Sequence, residues 1–342
     1  MRVRFPLARV VVVAVMVGPS ATGADGPERS AIGTPAPAGP LAETEEFAPP
    51  AHEDWMLGGV HGILPRARGE FVPRFPRGKP VDGRLAGRRL LLTFDDGPFP
   101  ATTPGLLDVL ARERVPAVFF VIGYKIVDKP EQRVGRRIVR RMAAEGHVVA
   151  NHSMNHPQMP QLPERRWKRE VTDAHQALRS VVGYSPTLFR PPYGEINGAI
   201  DRWLTWRGYT RVLWRYSADE FRRLPGPAVA RSVLRKIRER ERAGADAGGI
   251  VLLHDAYAAS VDAAAILIRR IKAENCSLLE RGDEDIWRFV GFQPFFDPIN
   301  GPPLAAAGPP AATADEIEEA RRWCRENHAE LPRILAIDRE ED

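Results

Sequence analysis

From Arg88 onward one pattern repeats along the chain: a short apolar run, then a longer amphipathic stretch. Runs at Leu90–Phe94, Ala117–Ile122, His147–Ala150, Thr187–Phe189, Thr210–Trp214 and Ile250–Leu253 read as strands. Between them lie expected helices. One starts at Pro104, which suits a first helical turn, and carries Leu106, Leu107 and Leu110. Another has Val134, Ile138 and Met142 in step. A longer one follows Pro163, where Trp167, Val171, Ala174, Leu178 and Val181 make one stripe that Gly183 stops. Further helices are expected near 197–207, 229–240 and 261–272. Strands alternating with helices favour a parallel α/β sheet, and 342 residues at 44% hydrophobic content suffice for a full core.

Polar residues cluster just beyond the apolar runs, where a βα barrel gathers its chemistry. The first run ends in Thr93-Phe94-Asp95-Asp96-Gly97-Pro98, which delivers two adjacent carboxylates to a turn. Downstream, Asn151-His152-Ser153-Met154-Asn155-His156 spaces two imidazoles four apart, so that on one helical turn they would face the same way. One aspartate and two histidines make three ligands for a divalent ion and leave a coordination position open. That is the habit of a catalytic site, since structural zinc is usually closed by four. Each motif alone is weak, because an Asp-Asp-Gly-Pro turn is common loop chemistry and most HxxxH pairs bind nothing. Their combination with Arg190-Pro191-Pro192-Tyr193-Gly194 and with Leu252-Leu253-His254-Asp255 is stronger.

The flanks differ from this region. Residues 1–23 have the form of a secretory signal, with Arg2, Arg4 and Arg9, an apolar run from Val10 to Val17 and Ala21-Thr22-Gly23 as a cleavage site. That run is too short to span a bilayer. Its removal takes three arginines and no acids, lowering the formal charge from +5 to +2, too weak a balance to imply nucleic acid. Residues 24–57 read as a disordered Pro/Ala-rich linker and 58–88 as an N-terminal extension. A C-terminal extension, 274–342, holds Trp287, Phe289, Phe292, Phe295 and Phe296, which fit stacking on sugar rings or a plug at the bottom of the barrel, with core packing the favoured reading. It also holds a capping box, Thr313-Ala314-Asp315-Glu316. Cys276 and Cys324 are the only cysteines; one disulfide and two separate buried thiols fit the sequence equally.

Taken in order, TFDDGP, HSMNH, RPPYG and LLHD resemble the polysaccharide deacetylase family, carbohydrate esterase family four, over residues 89–273. The resemblance implies a distorted (β/α) barrel and a metal-dependent hydrolase that removes acetyl groups from glycans. Asp95 is then like the family's general base, and Asp96, His152 and His156 are like its metal triad. Arg190 resembles the arginine that orients the base, the backbone N–H of Tyr193 the oxyanion donor, and His254 the acid that protonates the departing amine. Leu252 would line the pocket for the acetyl methyl, with Pro192, Trp214 and Asp219 as further pocket candidates. Where the family has an Asp-Trp pair this chain has Ser217-Ala218-Asp219-Glu220-Phe221, with Phe221 in the tryptophan's place, so either Asp219 or Glu220, or neither, orients His254.

Zinc is the expected ion; cobalt, nickel or manganese would suit the same ligands. The expected partner is an acetylated glycan in the cell envelope, periplasm or extracellular space, with no nucleic acid and no stable membrane span. Two other readings stand beside this one: hydrolysis of a small non-sugar amide on the same fold, and glycan binding without catalysis. Loss of a carboxylate or imidazole would favour the last, and none is missing.

Overall fold

Side chains along a strand alternate between faces, and that alternation sorts this sequence into two cores. In the computed structural model, which describes residues 80–292 and 311–337, the first apolar run is strand β1, Arg89–Asp95. Leu90, Leu92 and Phe94 join the large core beneath the helices, whereas Leu91 joins an inner cluster with Val118, Phe120, Ala150, Leu188 and Ile250. Thr93 and Asp95 therefore share the inner face with Leu91 and stand above it.

The remaining strands are β2 (Ala117–Val121), β3 (Val148–Asn151), β4 (Leu188–Phe189), β5 (Thr210–Arg211), β6 (Tyr216–Ser217), β7 (Gly249–His254) and β8 (Arg288–Phe289). They form one parallel sheet in the order β5-β4-β3-β2-β1-β7-β6, with β8 added beside the start of β1. In this curled half-barrel Asp95 lies in register with His254 of β7, which puts both side chains at one level on the inner face. Outside lie helices α1 (Thr103–Glu113), α2 (Arg133–Ala144), α3 (Glu164–Val182), α4 (Gly198–Trp206), α5 (Gly226–Arg242) and α6 (Ala258–Glu280). The stripe from Trp167 to Val181 is buried on α3, and Gly183, at φ +78°, caps that helix in the left-handed region.

Two elements differ from their sequence reading. The strand expected over 210–214 stops at Arg211, because the side chain of Arg190 takes the carbonyls of Val212 and Leu213 that would have continued the ladder. The helix expected over 261–272 runs on to Glu280, since Ala273–Leu279 contains only tolerable helix formers and no breaker.

Ahead of β1, residues 81–85 form a strap. Val81 exchanges hydrogen bonds with Arg211 and Leu213, while Gly83 and Leu85 bond to Ile250 and Gly248, so the strap joins the β5 side of the sheet to β7. At the other end Trp287 and Phe292 are buried in the two cores, as the packing reading expected; Phe295 and Phe296 lie outside the described residues, as do the signal and linker segments. Helices α7 (Ala314–Glu326) and α8 (Leu331–Ala336) pack on α6. The Thr313–Glu316 capping box opens α7, and a Cys276–Cys324 disulfide ties it to α6. Among the described residues no helix is long and apolar enough to cross a membrane.

Candidate active site

Asp95 ends β1 on the inner face, and Asp96 follows in the left-handed region at φ +74°, so two neighbours in sequence present their carboxylates from different backbone orientations. Asp95 is buried, and its Oδ1 accepts a hydrogen bond from NH1 of Arg190 at 2.7 Å. Arg190 is wholly buried and also donates to Thr93 Oγ1 and to the carbonyl of Val212. This guanidinium is fixed at several points, so the second oxygen of Asp95 is held toward His152, 3.6 Å from its Nε2.

His152 and His156 leave β3 on a loop, not on the helical turn expected from their spacing. Ser153 (φ +67°) and His156 (φ +56°) both adopt left-handed backbone, which reverses the chain within four residues. The loop is stitched in place by Asn151 Oδ1, which accepts from Ser153 N–H, and by Ser153 Oγ, which accepts from His156 N–H. Glu170, reaching from α3, accepts from both the backbone and side-chain nitrogens of Asn155 at 2.7 and 2.9 Å.

The result still gathers Asp96, His152 and His156, whose ligand atoms lie within 4.8 Å of one another. Asp96 Oδ1 is 3.5 Å from His152 Nε2 and 3.3 Å from His156 Nε2. Nδ1 of His152 lies 2.7 Å from the carbonyl of Arg190, which can only accept, so Nδ1 carries the proton and Nε2 presents a lone pair. Asp96 Oδ1 is buried without a hydrogen-bond donor among the described residues. Burial raises Asp96, but its histidine neighbours outweigh that and hold its carboxyl at about 2; burial and the charge of His152 lower His156. A carboxylate and two imidazole nitrogens turned toward one point are a donor set that fits a divalent cation.

Opposite them stands His254. Glu220 Oε1 accepts from its backbone N–H at 2.6 Å and lies 3.0 Å from its Nδ1. Burial opposes charge on this ring, but its hydrogen bond to Glu220 and the charges of Asp95, Glu220 and Asp96 prevail and raise it to about 9. Asp219, the other candidate acid, is turned away from His254. Its left-handed backbone (φ +58°) turns the carboxylate to Lys236 at 2.5 Å and Ser232 at 3.0 Å on α5, so of the two acids it is Glu220 that contacts His254. The side chain of Phe221 is outside the described residues.

The other predicted residues surround this centre. Tyr193 sits at φ +60° with its ring centroid 4.7 Å from that of His156, the two rings edge to face. Pro192 is buried in the same turn, and a Cβ on Gly194 would fall 2.9 Å from the Trp214 ring, so the RPPYG turn and Trp214 are in close contact. Leu252 is two residues before His254 on the same strand face. Sequence reading missed Thr93, Asn155 and Glu170; the only signal for Glu170 is an acid on the polar edge of the α3 stripe.

Comparison with known proteins follows the same residues. A polysaccharide deacetylase family model matches 82–212. A chitooligosaccharide deacetylase of Bradyrhizobium sp. (strain ANU 289) is 38% identical over 189 residues, 55% of this chain and 80% of that protein. The chain belongs to the polysaccharide deacetylase family. Another relative, the peptidoglycan-N-acetylglucosamine deacetylase PgdA of Listeria monocytogenes, is 34% identical over 194 residues, and the match spans 37% of its length. Among solved structures, the Bc1960 peptidoglycan N-acetylglucosamine deacetylase superposes with a TM-score of 0.52 at 28% identity, covering 64% of this chain and 93% of that one. As a member of this deacetylase family the protein is a hydrolase of carbon–nitrogen bonds other than peptide bonds.

Proposed function

We propose that this protein is a secreted, metal-dependent deacetylase that removes N-acetyl groups from a cell-envelope or extracellular glycan, with zinc as its ion. The observation that carries the metal is the convergence of Asp96, His152 and His156 on one point, beside a carboxylate, Asp95, that belongs to a different partner. The glycan rests on the substrates named for the relatives, and export on the signal-like residues 1–23. A divalent cation held by the triad would polarise the acetyl carbonyl and make a water molecule acidic enough to attack it.

The chain's own residues divide the remaining work. Arg190 occupies one oxygen of Asp95 and leaves the other to take the water's proton. The Tyr193 N–H is the proposed donor to the oxyanion that develops on the acetyl group. Glu220 holds Nδ1 of His254, which frees Nε2–H to protonate the departing nitrogen. An amine leaves poorly unless protonated, so an imidazole kept charged to about pH 9 favours amide over ester cleavage. Leu252, Pro192 and Trp214 are the proposed walls around the acetyl methyl.

Acetate release from chitin oligomers, peptidoglycan and acetylxylan, with chelated and zinc-restored protein, tests this. Chelation should abolish release and zinc restore it, while Asp95→Asn and His152→Ala should each lower kcat by on the order of a hundredfold or more. Variants as fast as the parent would defeat the assignment.

A further inference from the structure

One buried acid beside the site has no part in the chemistry just described. Asp255 follows His254 at the end of β7, and none of it reaches solvent. Its Oδ2 accepts from Thr103 Oγ1 at 2.6 Å, and its carbonyl accepts from Thr102 Oγ1. These two threonines begin α1, at the end of the helix dipole that favours a nearby negative charge. The Phe99 N–H donates to the same Thr103 hydroxyl at 2.8 Å, so the segment after the DDGP turn is tied into the network.

Asp255 also lies against the turn itself. A Cβ built on Gly97 would fall 2.2 Å from Asp255 Oδ2 and 2.7 Å from Oδ1, so the carboxyl fills the space where residue 97 would carry a side chain. Gly97 immediately follows Asp96. Asp255 Oδ1 has no hydrogen-bond partner among the described residues, and burial drives the group up to about 7 against the pull of Thr103 and Lys125. Leaving a polar oxygen buried in this way is unfavourable, and a leucine or alanine would avoid the cost. A carboxyl that nevertheless joins three elements invites a role specific to the junction.

We infer that Asp255 is a positioning residue: it locks the turn bearing Asp96 to the strand end bearing His254, and so sets the spacing between the metal triad and the acid. This rests on the roles proposed above for Asp96 and His254. The physical content is that one residue fills the space beside Gly97, the neighbour of Asp96, and is itself the chain neighbour of His254. Thr103 supplies the fixed point on α1.

The test compares parent, Asp255→Asn, Asp255→Ala and Thr103→Val for zinc affinity, by competition with a metal-sensing dye, and for kcat and KM on a chitin oligomer. Zinc affinity and kcat should both fall in Asp255→Ala by about tenfold or more, the usual range for a residue behind a metal ligand, with KM little changed. Thr103→Val leaves the carboxyl in place and removes one tie, so it should move both quantities the same way by less; Asp255→Asn should fall between. A merely space-filling role predicts instead that activity tracks Tm and returns when each variant is assayed equally far below its own Tm. That result overturns the inference, as does parental zinc affinity and kcat in Asp255→Asn and Thr103→Val together. If the parent itself neither binds zinc nor needs it, the proposed function fails and the inference falls with it.

Discussion

At the scale of single residues, the site separates four similar groups by what each is bonded to. Asp95 and Asp96 are adjacent, yet one is clamped by Arg190 and the other faces two imidazoles. His152 donates from Nδ1 to a carbonyl that cannot titrate, whereas His254 has Nδ1 against a carboxylate. The carboxylate at Nδ1 favours the charged form of His254. A raised value keeps the acid form present at neutral pH and loses it as pH climbs through about 9. Glu220→Gln keeps the shape and deletes the charge, so the alkaline limb of the kcat profile should move to lower pH while zinc affinity stays parental. A pH–rate profile with an unmoved limb would remove Glu220 from this role. Glu220 could not be told from Asp219 in the sequence, because both are acids in one short turn. What decides between them is the left-handed backbone at Asp219, which carries no glycine to announce it.

At the scale of elements, legibility followed the strength of the periodic signal. The runs at β1 and β7 were readable because each is a continuous apolar stretch, and the structure buries them almost throughout; the α3 stripe was readable because it is long enough to show its period, and burial follows that period. The HSMNH loop was not, since its shape depends on two non-glycine residues at positive φ and on Glu170, a contact across 15 residues. Strand β6 has two residues and offers no period at all. The turn before β3 carries a consequence for acid stability. His147 is buried against the edge of Phe119, neither ring nitrogen has a hydrogen-bond partner among the described residues, and burial followed by the nearby charge of Arg141 lowers it to about 4. The unfolded chain, with an imidazole near its ordinary 6.5, therefore takes up the proton first. Its contribution is complete above pH 6.5 and is lost as pH falls toward 4. Half-buried His175, also lowered to about 4, adds to the same window. Urea midpoints at the two ends of that window should differ, and His147→Phe should narrow the difference; an equal drop in the variant would show that His147 is not responsible.

At the scale of the whole molecule, all residues assigned to the chemistry lie between Asp95 and His254, whereas α7 and α8 rest on α6 through a small apolar cluster of Ala273, Leu331 and Ile334 around Cys276. The disulfide closes a separation of 48 residues, worth up to about 4 kcal/mol if it acts on the unfolded chain's entropy. Cys276→Ser should therefore open residues 311–337 to protease while acetate release persists. Activity lost in step with cleavage would tie the two regions together. The strap at 81–85 has a different bearing on the molecule. A parallel sheet that curls without meeting itself leaves a seam, and here the seam is sutured by polypeptide lying upstream of the first catalytic strand. Leu213, which donates to the strap at Val81, also offers its carbonyl to Arg190. Trimming the protein back to Arg89 would thus unpick the wall next to the guanidinium that steadies Asp95, and water admitted there would loosen that grip from behind.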